Sequence, residues 1–323
     1  MNAPLTLFRD ATGGPLCPAG GVVCIGAFDG LHLGHRALVE QAVARARALD
    51  VLAVALSFEP LPREFFAGNA QPPRLMLPRA RYQGLRALGV DIVGLLRFNR
   101  AQASMDAQAF IEQVLVQRLA VREVWIGPDF RFGKGRAGDL ATLQAAGDAH
   151  DFTAQAIEPV MLDGERVSST RIRAAFGSGD FASATRLLGR PYAISGKVVR
   201  GQQLGRTLGF PTANLRFGGK QPALSGIYAT WVHGVGRKPR PSVSSFGTRP
   251  TVDGVEPLLE AHLFDFHGDL YGQRIEVEFV ARLRDEEKFD TLPKLVAQMH
   301  EDAARARAIL DRSTSSYLQQ ACA

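Results

Sequence analysis

The ten residues GAFDGLHLGH, Gly26 to His35, limit the fold more than any other stretch, because an apolar run precedes them and a helical pattern follows. Val22, Val23, Cys24 and Ile25 read as a short strand buried on both faces, as in a parallel sheet. A helix begins near Gly34, with Leu38, Ala42, Ala46 and Leu49 on its inward stripe and Arg36, Glu40, Arg45 and Arg47 mostly outward. Gly26, Gly30 and Gly34 let backbone approach a ligand closely, and the free N–H groups at a helix start favour an anion. His32 and His35 sit at that end and can donate to phosphate oxygens or carry positive charge beside them. The expected ligand is a nucleoside triphosphate. Two histidines three apart are often plain helix surface, but three glycines behind a buried strand favour the phosphate site.

The same alternation continues. Residues 51–58 form a second apolar run and so a parallel strand–helix–strand unit. Helices are expected over 79–88, over 106–119 behind a Ser104 cap, and over 140–149, with strands over 91–96, 124–127 and 152–157. This pattern predicts a doubly wound α/β sheet. Beside it, FEPLPREFF (residues 58–66) fixes a turn at a strand's C-terminal end, where Phe58, Phe65 and Phe66 can wall a flat ring. Gly133, Gly135 and Gly138 match GxGxxG, but the strand ends several residues earlier, so a dinucleotide fingerprint is rejected. In VSSTRIR (residues 167–173), the hydroxyls of Ser168, Ser169 and Thr170 precede a helix and can point at one anion, with Arg171 and Arg173 supplying charge.

After a boundary at 187/188 the periodicity changes to strands over 192–199, 227–233, 242–246, 258–266 and 275–280, with Gly/Pro-rich turns and few helices. Short strands with tight connections make an antiparallel sheet or barrel. A final helix, capped by Asp290 or Thr291 and carrying Leu295, Val296, Met299 and Ala303, should plug or flank it, and the tail from 313 should fray. Within GKVVRGQQLGRTLGFPTANL (residues 196–215), a glycine-bearing loop with Arg200 and Arg206 leads to a PTAN turn. There Thr212 and Asn214 offer hard oxygens suited to Mg²⁺ shared with substrate phosphates. Glu260 shares a strand face with His262 and can serve as a general base.

A length of 323 residues suits two domains, and 46% apolar with 22% charged residues suits a soluble globular chain. The net charge of +6 is dispersed apart from Arg237, Lys238 and Arg240, so no nucleic-acid partner is expected. Cys17, Cys24 and Cys322 form no CxxC pair or disulfide framework, which argues against zinc and for a reducing cytoplasm. No secretory signal or bilayer-length apolar run is visible, so no membrane association is expected. None of the Gly-Lys pairs belongs to a GxxxxGK[ST] loop.

Taken together, the motifs resemble the bacterial bifunctional riboflavin kinase/FAD synthetases over nearly the whole chain. GAFDGLHLGH resembles the GxFDGxHxGH form of the nucleotidyltransferase HxGH motif. GPDFRFGKGRAGD resembles GxDFRFGxxRxGD, and VSSTRIR resembles ISSTxxR. In the second half, the segment ending in PTAN is similar to the riboflavin kinase motif GxxxGRxLGFPTAN, followed by SGIYA, FGTRPTV, EAHLFDF, DLYG and LRDEEKF. The resemblance implies a nucleotidyltransferase-like domain over 1–187 and a riboflavin kinase barrel over 188–323. It implies ATP and Mg²⁺, with riboflavin, FMN and FAD as substrates or products. His32, His35 and Glu260 would be catalytic. Gly26, Phe28, Asp29, Gly34, Ser168, Ser169, Thr170, Arg171, Gly196, Gly205 and Arg206 would bind nucleotide, and Phe58, Pro60, Pro62, Asp129 and Phe130 the flavin. Leu61 departs from FxPHPR, in which the family tends to have histidine. The HxGH and SSTxxR pair would by itself suit a pantetheine- or nicotinamide-type adenylyltransferase, and the kinase-like second half argues against that. Oligomeric state is not legible in the sequence.

Overall fold

The computed structural model describes residues 6–68, 71–201, 204–251 and 254–313. Gln202, Gln203, Val252, Cys322 and the tail expected to fray beyond 313 lie outside the described residues. The chain divides into two compact units. One comprises Met1–Pro72 with Met76–Ser169, the other Thr170–Ala323 with the short segment Pro73–Leu75.

In the first unit the elements run β1 (Leu7–Phe8), β2 (Gly21–Ile25), α1 (Leu33–Ala48), β3 (Leu52–Glu59), α2 (Pro62–Phe66), α3 (Pro78–Ala87) and β4 (Ile92–Arg97). They continue through α4 (Arg100–Ser104), α5 (Ala107–Phe110), β5 (Val121–Ile126), α6 (Leu140–His150), β6 (Thr153–Ala156) and a small hairpin, β7 (Met161–Leu162) and β8 (Glu165–Arg166). Among the described residues the main sheet has six strands in the order β1-β4-β3-β2-β5-β6, paired in parallel. The order reverses between β2 and β5, so the loops leaving their C-terminal ends open onto the crevice where such sheets bind ligands. Alternation along β2 fills both faces. Val22 and Cys24 pack with Leu38, Val39, Ala42 and Ala46 of α1, whereas Val23 and Ile25 pack with Phe110, Ile111, Val114 and Leu115. Each such fully buried Val, Ile or Leu contributes roughly 1.5–3 kcal/mol.

Two local expectations are corrected. Leu49 is 42% exposed as the C-cap of α1, and Val39 takes a buried place instead, because the helix ends before its stripe completes another turn. Ser104 ends α4, which Asn99 caps. The following helix is capped by Asp106, whose carboxylate accepts from the Ala109 N–H at 2.7 Å, and it passes into a π-helix over Ile111–Arg118.

The second unit opens with α7 (Ser169–Gly177), whose first residue closes the first unit, and α8 (Phe181–Leu188), which ends on Gly189 at φ 69°. Then come β9 (Ala193–Lys197), α9 (Leu204–Thr207), β10 (Ala213–Arg216), β11 (Gly226–His233), β12 (Arg240–Thr251), β13 (Gly254–Leu263), β14 (Arg274–Arg284) and α10 (Leu292–Leu310). The sheet order is β10-β13-β12-β11-β14-β9, antiparallel throughout, and a Val199–Asn214 bridge brings its two edges together into a nearly closed barrel. Leu215, Tyr228, Phe246, Leu259, Ala261 and Phe279 are buried along its strands. The last helix flanks the barrel, with Ala306 and Leu310 packed on Ala229, Phe264 and Leu283. Thr291 occupies its N-cap position without a side-chain cap bond. Sequence reading missed α9 and β10, and Asn214, expected in a turn, lies on β10.

Candidate active sites

In the first unit the site grows out of the turn after β2. Phe28 at φ 49°, Gly30 at φ 91° and Leu31 at φ 44° fold this loop tightly before α1 begins. His32 is the N-cap of α1, and its Nδ1 accepts the His35 N–H at 3.2 Å. A nitrogen that accepts carries no proton, so the hydrogen of the neutral ring sits on Nε2. The rings of His32 and His35 stack with centroids 3.6 Å apart, and Phe28 meets His35 edge-on at 5.5 Å. Gly34 lets the rings pack closely, because a Cβ there would lie 3.3 Å from the His32 ring and press on it. Burial, reinforced by the charges of His32, Arg63, Arg81 and Arg166, holds the His35 pKa well below that of ordinary histidine.

His32, His35, Gly26, Gly34, Asp129, Phe130, Arg166 and Ser168 line one cavity of about 320 Å³. A second cavity of about 550 Å³ is lined by Phe58, Leu61, Pro62, Arg63, Phe66, Phe98, Phe110 and Phe132. Gly26, Ala27, Asp129 and Phe130 line both, so the cavities adjoin. Leu61 is fully buried in the aromatic one, and Pro60 is half-buried without lining either.

The remaining predicted residues are placed differently. Asp29 is buried, and its carboxylate pairs with Arg63 and accepts the Met76 N–H at 3.0 Å, while its carbonyl accepts from the Ser169 hydroxyl at 2.9 Å. Phe28 is likewise fully buried. These two shape the loop from beneath. Thr170 and Arg171 follow the last residue of the first unit and do not line its cavities. Arg173 donates through Nε to the Pro73 carbonyl at 2.6 Å, within the second unit.

Sequence reasoning missed three arginines. Arg63 and Arg166 reach the cavity walls; the first follows the two prolines of the aromatic loop, and the second immediately precedes VSST, which were the available signals. Arg81 is fully buried and donates to the Ala27 and Phe58 carbonyls, both at 2.9 Å, and to the Glu59 carboxylate at 2.8 Å. It therefore ties the chain leaving β2 to the end of β3, the two edges from which the site loops spring. Nothing in a helix-face arginine announces this.

The second unit has its own pair of adjoining cavities. Gly205, Phe210, Thr212, Ser245, Glu260 and His262 line one of about 330 Å³ that also meets Leu295 and Met299 of α10. Arg206, Thr212, Asp269 and Tyr271 line another of about 280 Å³, and Arg200 stacks over Tyr271 at 5.4 Å. Ladder register sets Asn214 opposite Glu260 and Glu260 opposite Ser245, so these three share one rung and one face. The Asn214 amide donates to the Thr212 carbonyl at 3.2 Å and its hydroxyl at 3.4 Å, which leaves Asn214 Oδ1 buried without a partner. His262 stays on the Glu260 face, with its pKa lowered by burial. Gly196, on β9, packs where a Cβ would lie 2.8 Å from Leu215, away from both cavities. Among the described residues no cluster of three His, Cys, Asp or Glu groups could hold a metal ion, so any cation here must rely on hydroxyl, amide and phosphate oxygens.

Comparison with known proteins gives a consistent result. A family model described as FAD synthetase matches residues 15–171, and one described as riboflavin kinase matches residues 188–310. Curated bifunctional riboflavin kinase/FMN adenylyltransferases of Escherichia coli K12 and Haemophilus influenzae are 43% and 41% identical, covering 89% and 90% of this chain and 92% and 95% of theirs. That of Pseudomonas fluorescens is 44% identical over 90% of this chain and 93% of its own. A crystal structure described as a macrolide-efflux protein from Streptococcus pneumoniae matches with a TM-score of 0.71 and 30% identity, covering 93% of this chain and 97% of that one. Among the described residues, no helix is long and apolar enough to cross a membrane.

Proposed function

The chain belongs to the bifunctional riboflavin kinase/FMN adenylyltransferases and makes FMN from riboflavin and FAD from FMN, and from that premise we propose which residues carry each step. We assign adenylyl transfer to residues 1–187 and riboflavin phosphorylation to residues 188–323, a division supported by the spans of the two family matches.

The observation that carries the first assignment is the adjoining pair of cavities, one lined by two histidines and one walled by phenylalanines. ATP occupies the histidine-lined cavity, with its phosphates at Gly26, Gly34 and Ser168. The flavin ring lies against Phe58, Pro62 and Phe130, with Pro60 shaping the turn and Asp129 on the shared wall. The FMN phosphate then meets the α-phosphorus of ATP at that wall, and pyrophosphate leaves. His32 donates its Nε2 hydrogen to a phosphate oxygen. His35 is kept neutral by burial until phosphate approaches, and then donates to the triphosphate. Positioning and charge neutralisation supply the acceleration, and no covalent enzyme intermediate is needed.

In the second unit Glu260 takes the proton of the terminal ribityl hydroxyl as its oxygen attacks the γ-phosphorus of ATP, the bond from that phosphorus to the β,γ-bridging oxygen breaks, and ADP leaves. Gly196, Gly205 and Arg206 belong to the segment that receives this nucleotide. Asn214 Oδ1 is buried without a partner while its amide nitrogen faces the Thr212 hydroxyl, and this spare oxygen acceptor supports a hard cation at this place. Mg²⁺ held there would neutralise phosphate charge during transfer. The buried free thiols of Cys17 and Cys24 suit a reducing compartment, and we place the reactions in the cytoplasm with ATP, riboflavin and FMN as small-molecule partners.

Steady-state kinetics of FAD formation from supplied FMN test the first-site assignment. Phe58→Ala should raise the KM for FMN, whereas His32→Asn should lower kcat by two orders of magnitude or more with that KM nearly kept. Unchanged kcat in His32→Asn would remove the histidine from the chemistry.

A further inference from the structure

The ladder between β10 and β13 runs from Arg216–Leu258 to Ala213–Ala261 and stops there. It stops beside a proline: Pro211 has no N–H, so the chain entering β10 cannot donate to the sheet at that residue. The Pro211 carbonyl lies just beyond the last rung. The Pro211 oxygen lies 2.9 Å from Nδ1 of His262, on the facing strand. A carbonyl only accepts, so the imidazole must donate, which fixes the neutral ring with its hydrogen on Nδ1. Phe210 and Phe264 pack around the ring at 5.0 and 5.8 Å, limiting its rotation.

We propose that His262 is a positioning residue of the kinase site: its Nδ1–H extends the β10–β13 ladder by one side-chain bond and thereby sets Thr212 against Glu260. Thr212 lies between two anchors, the Pro211 carbonyl held by the ring and the Ala213–Ala261 register pair. Glu260 is two residues from His262 on the same face of the strand, so one rigid element carries both the base and the tether. This inference rests on the reading of Thr212 as a Mg²⁺ ligand, because the purpose of the tether is to hold that hydroxyl in place.

The two amide side chains separate the possible roles. Asn at this position puts its amide nitrogen near the place of Nδ1, and Gln puts its own near that of Nε2. Kinase rates of His262→Asn, His262→Gln and His262→Leu should be measured against Mg²⁺ concentration, with Thr212→Val as reference and adenylyl transfer from supplied FMN as a control for the folded chain. A tether predicts that His262→Asn stays within about two-fold of the parent. His262→Gln and His262→Leu should then lose roughly five- to ten-fold in kcat and need more Mg²⁺, while the KM for riboflavin changes little. Retention in Gln with loss in Asn overturns the proposal, because the ring would then act through Nε2; equal loss in all three, or no loss in any, overturns it too. If Thr212→Val needs no more Mg²⁺ than the parent, the metal reading itself fails, whatever the histidine variants do. Nitrogen NMR of the metal-free protein gives an activity-independent check. A neutral His262 protonated on Nδ1 supports the tether, and one protonated on Nε2 contradicts it.

Discussion

His32 Nδ1 caps α1, and on the proposed reading the Nε2 of the same ring would offer its hydrogen to phosphate. Asn is a good N-cap, so His32→Asn should keep stability within about 1 kcal/mol in urea unfolding while FAD formation collapses, whereas His32→Ala should lose both. His35 makes an acid-sensitive contribution. Its folded pKa lies below the ordinary histidine value, so between that value and the folded one the unfolded chain binds a proton that the folded chain does not. Stability therefore falls as pH drops below about 6.5 and recovers above it. Between pH 7 and 5 the parent should lose up to about 2 kcal/mol more than His35→Gln in denaturant titrations, and parallel pH profiles would contradict this. Both histidines were legible from their glycine-rich setting, but the cap was not, since histidine is not an expected N-cap residue. Asp29 was legible as part of this loop. A sequence gives no sign that its carboxylate turns inward to Arg63 and Met76.

At the scale of elements, continuous apolar runs such as Val22 to Ile25 identified the central strands because both faces of the parallel sheet are covered. Shorter elements escaped. Ala213–Arg216 has only four residues and follows a proline, so its sequence reads as a turn, and its strand character comes from pairing with β13. The expected Ser104 cap failed because α4 is a separate short helix and Asp106, two residues on, offers a better acceptor. Arg81 of α3 joins the ends of β2 and β3 through two carbonyls and a carboxylate. Arg81→Met leaves those acceptors without this donor, and should cost roughly 3 kcal/mol in the stability of the first unit. Calorimetry or urea titration would show it, together with weakened FAD formation and persisting FMN formation. A loss below about 1 kcal/mol would mean that the strand ends hold their places without the arginine.

At the scale of the whole molecule, the change of period from helix-punctuated strands to short strands with tight turns was enough to announce two architectures. What could not be read was how contacts divide between them. Helices α7 and α8 and the segment Pro73–Leu75 group with the barrel, and the second case joins residues far apart in sequence. Arg74 donates its backbone N–H to the Gln221 carbonyl at 2.7 Å, and the Tyr192 hydroxyl donates to the Leu75 carbonyl at 2.9 Å, so backbone and side-chain bonds fasten that segment. No local pattern predicts such a strap. The proposed assignment gives each half of the chain the site for one of two successive reactions. Its most direct test is product chromatography of His32→Asn and Glu260→Gln, each given ATP and Mg²⁺ with either riboflavin or FMN. His32→Asn should convert riboflavin to FMN and stop, and Glu260→Gln should leave riboflavin unchanged yet convert supplied FMN to FAD. Loss of both conversions in either folded variant would contradict it.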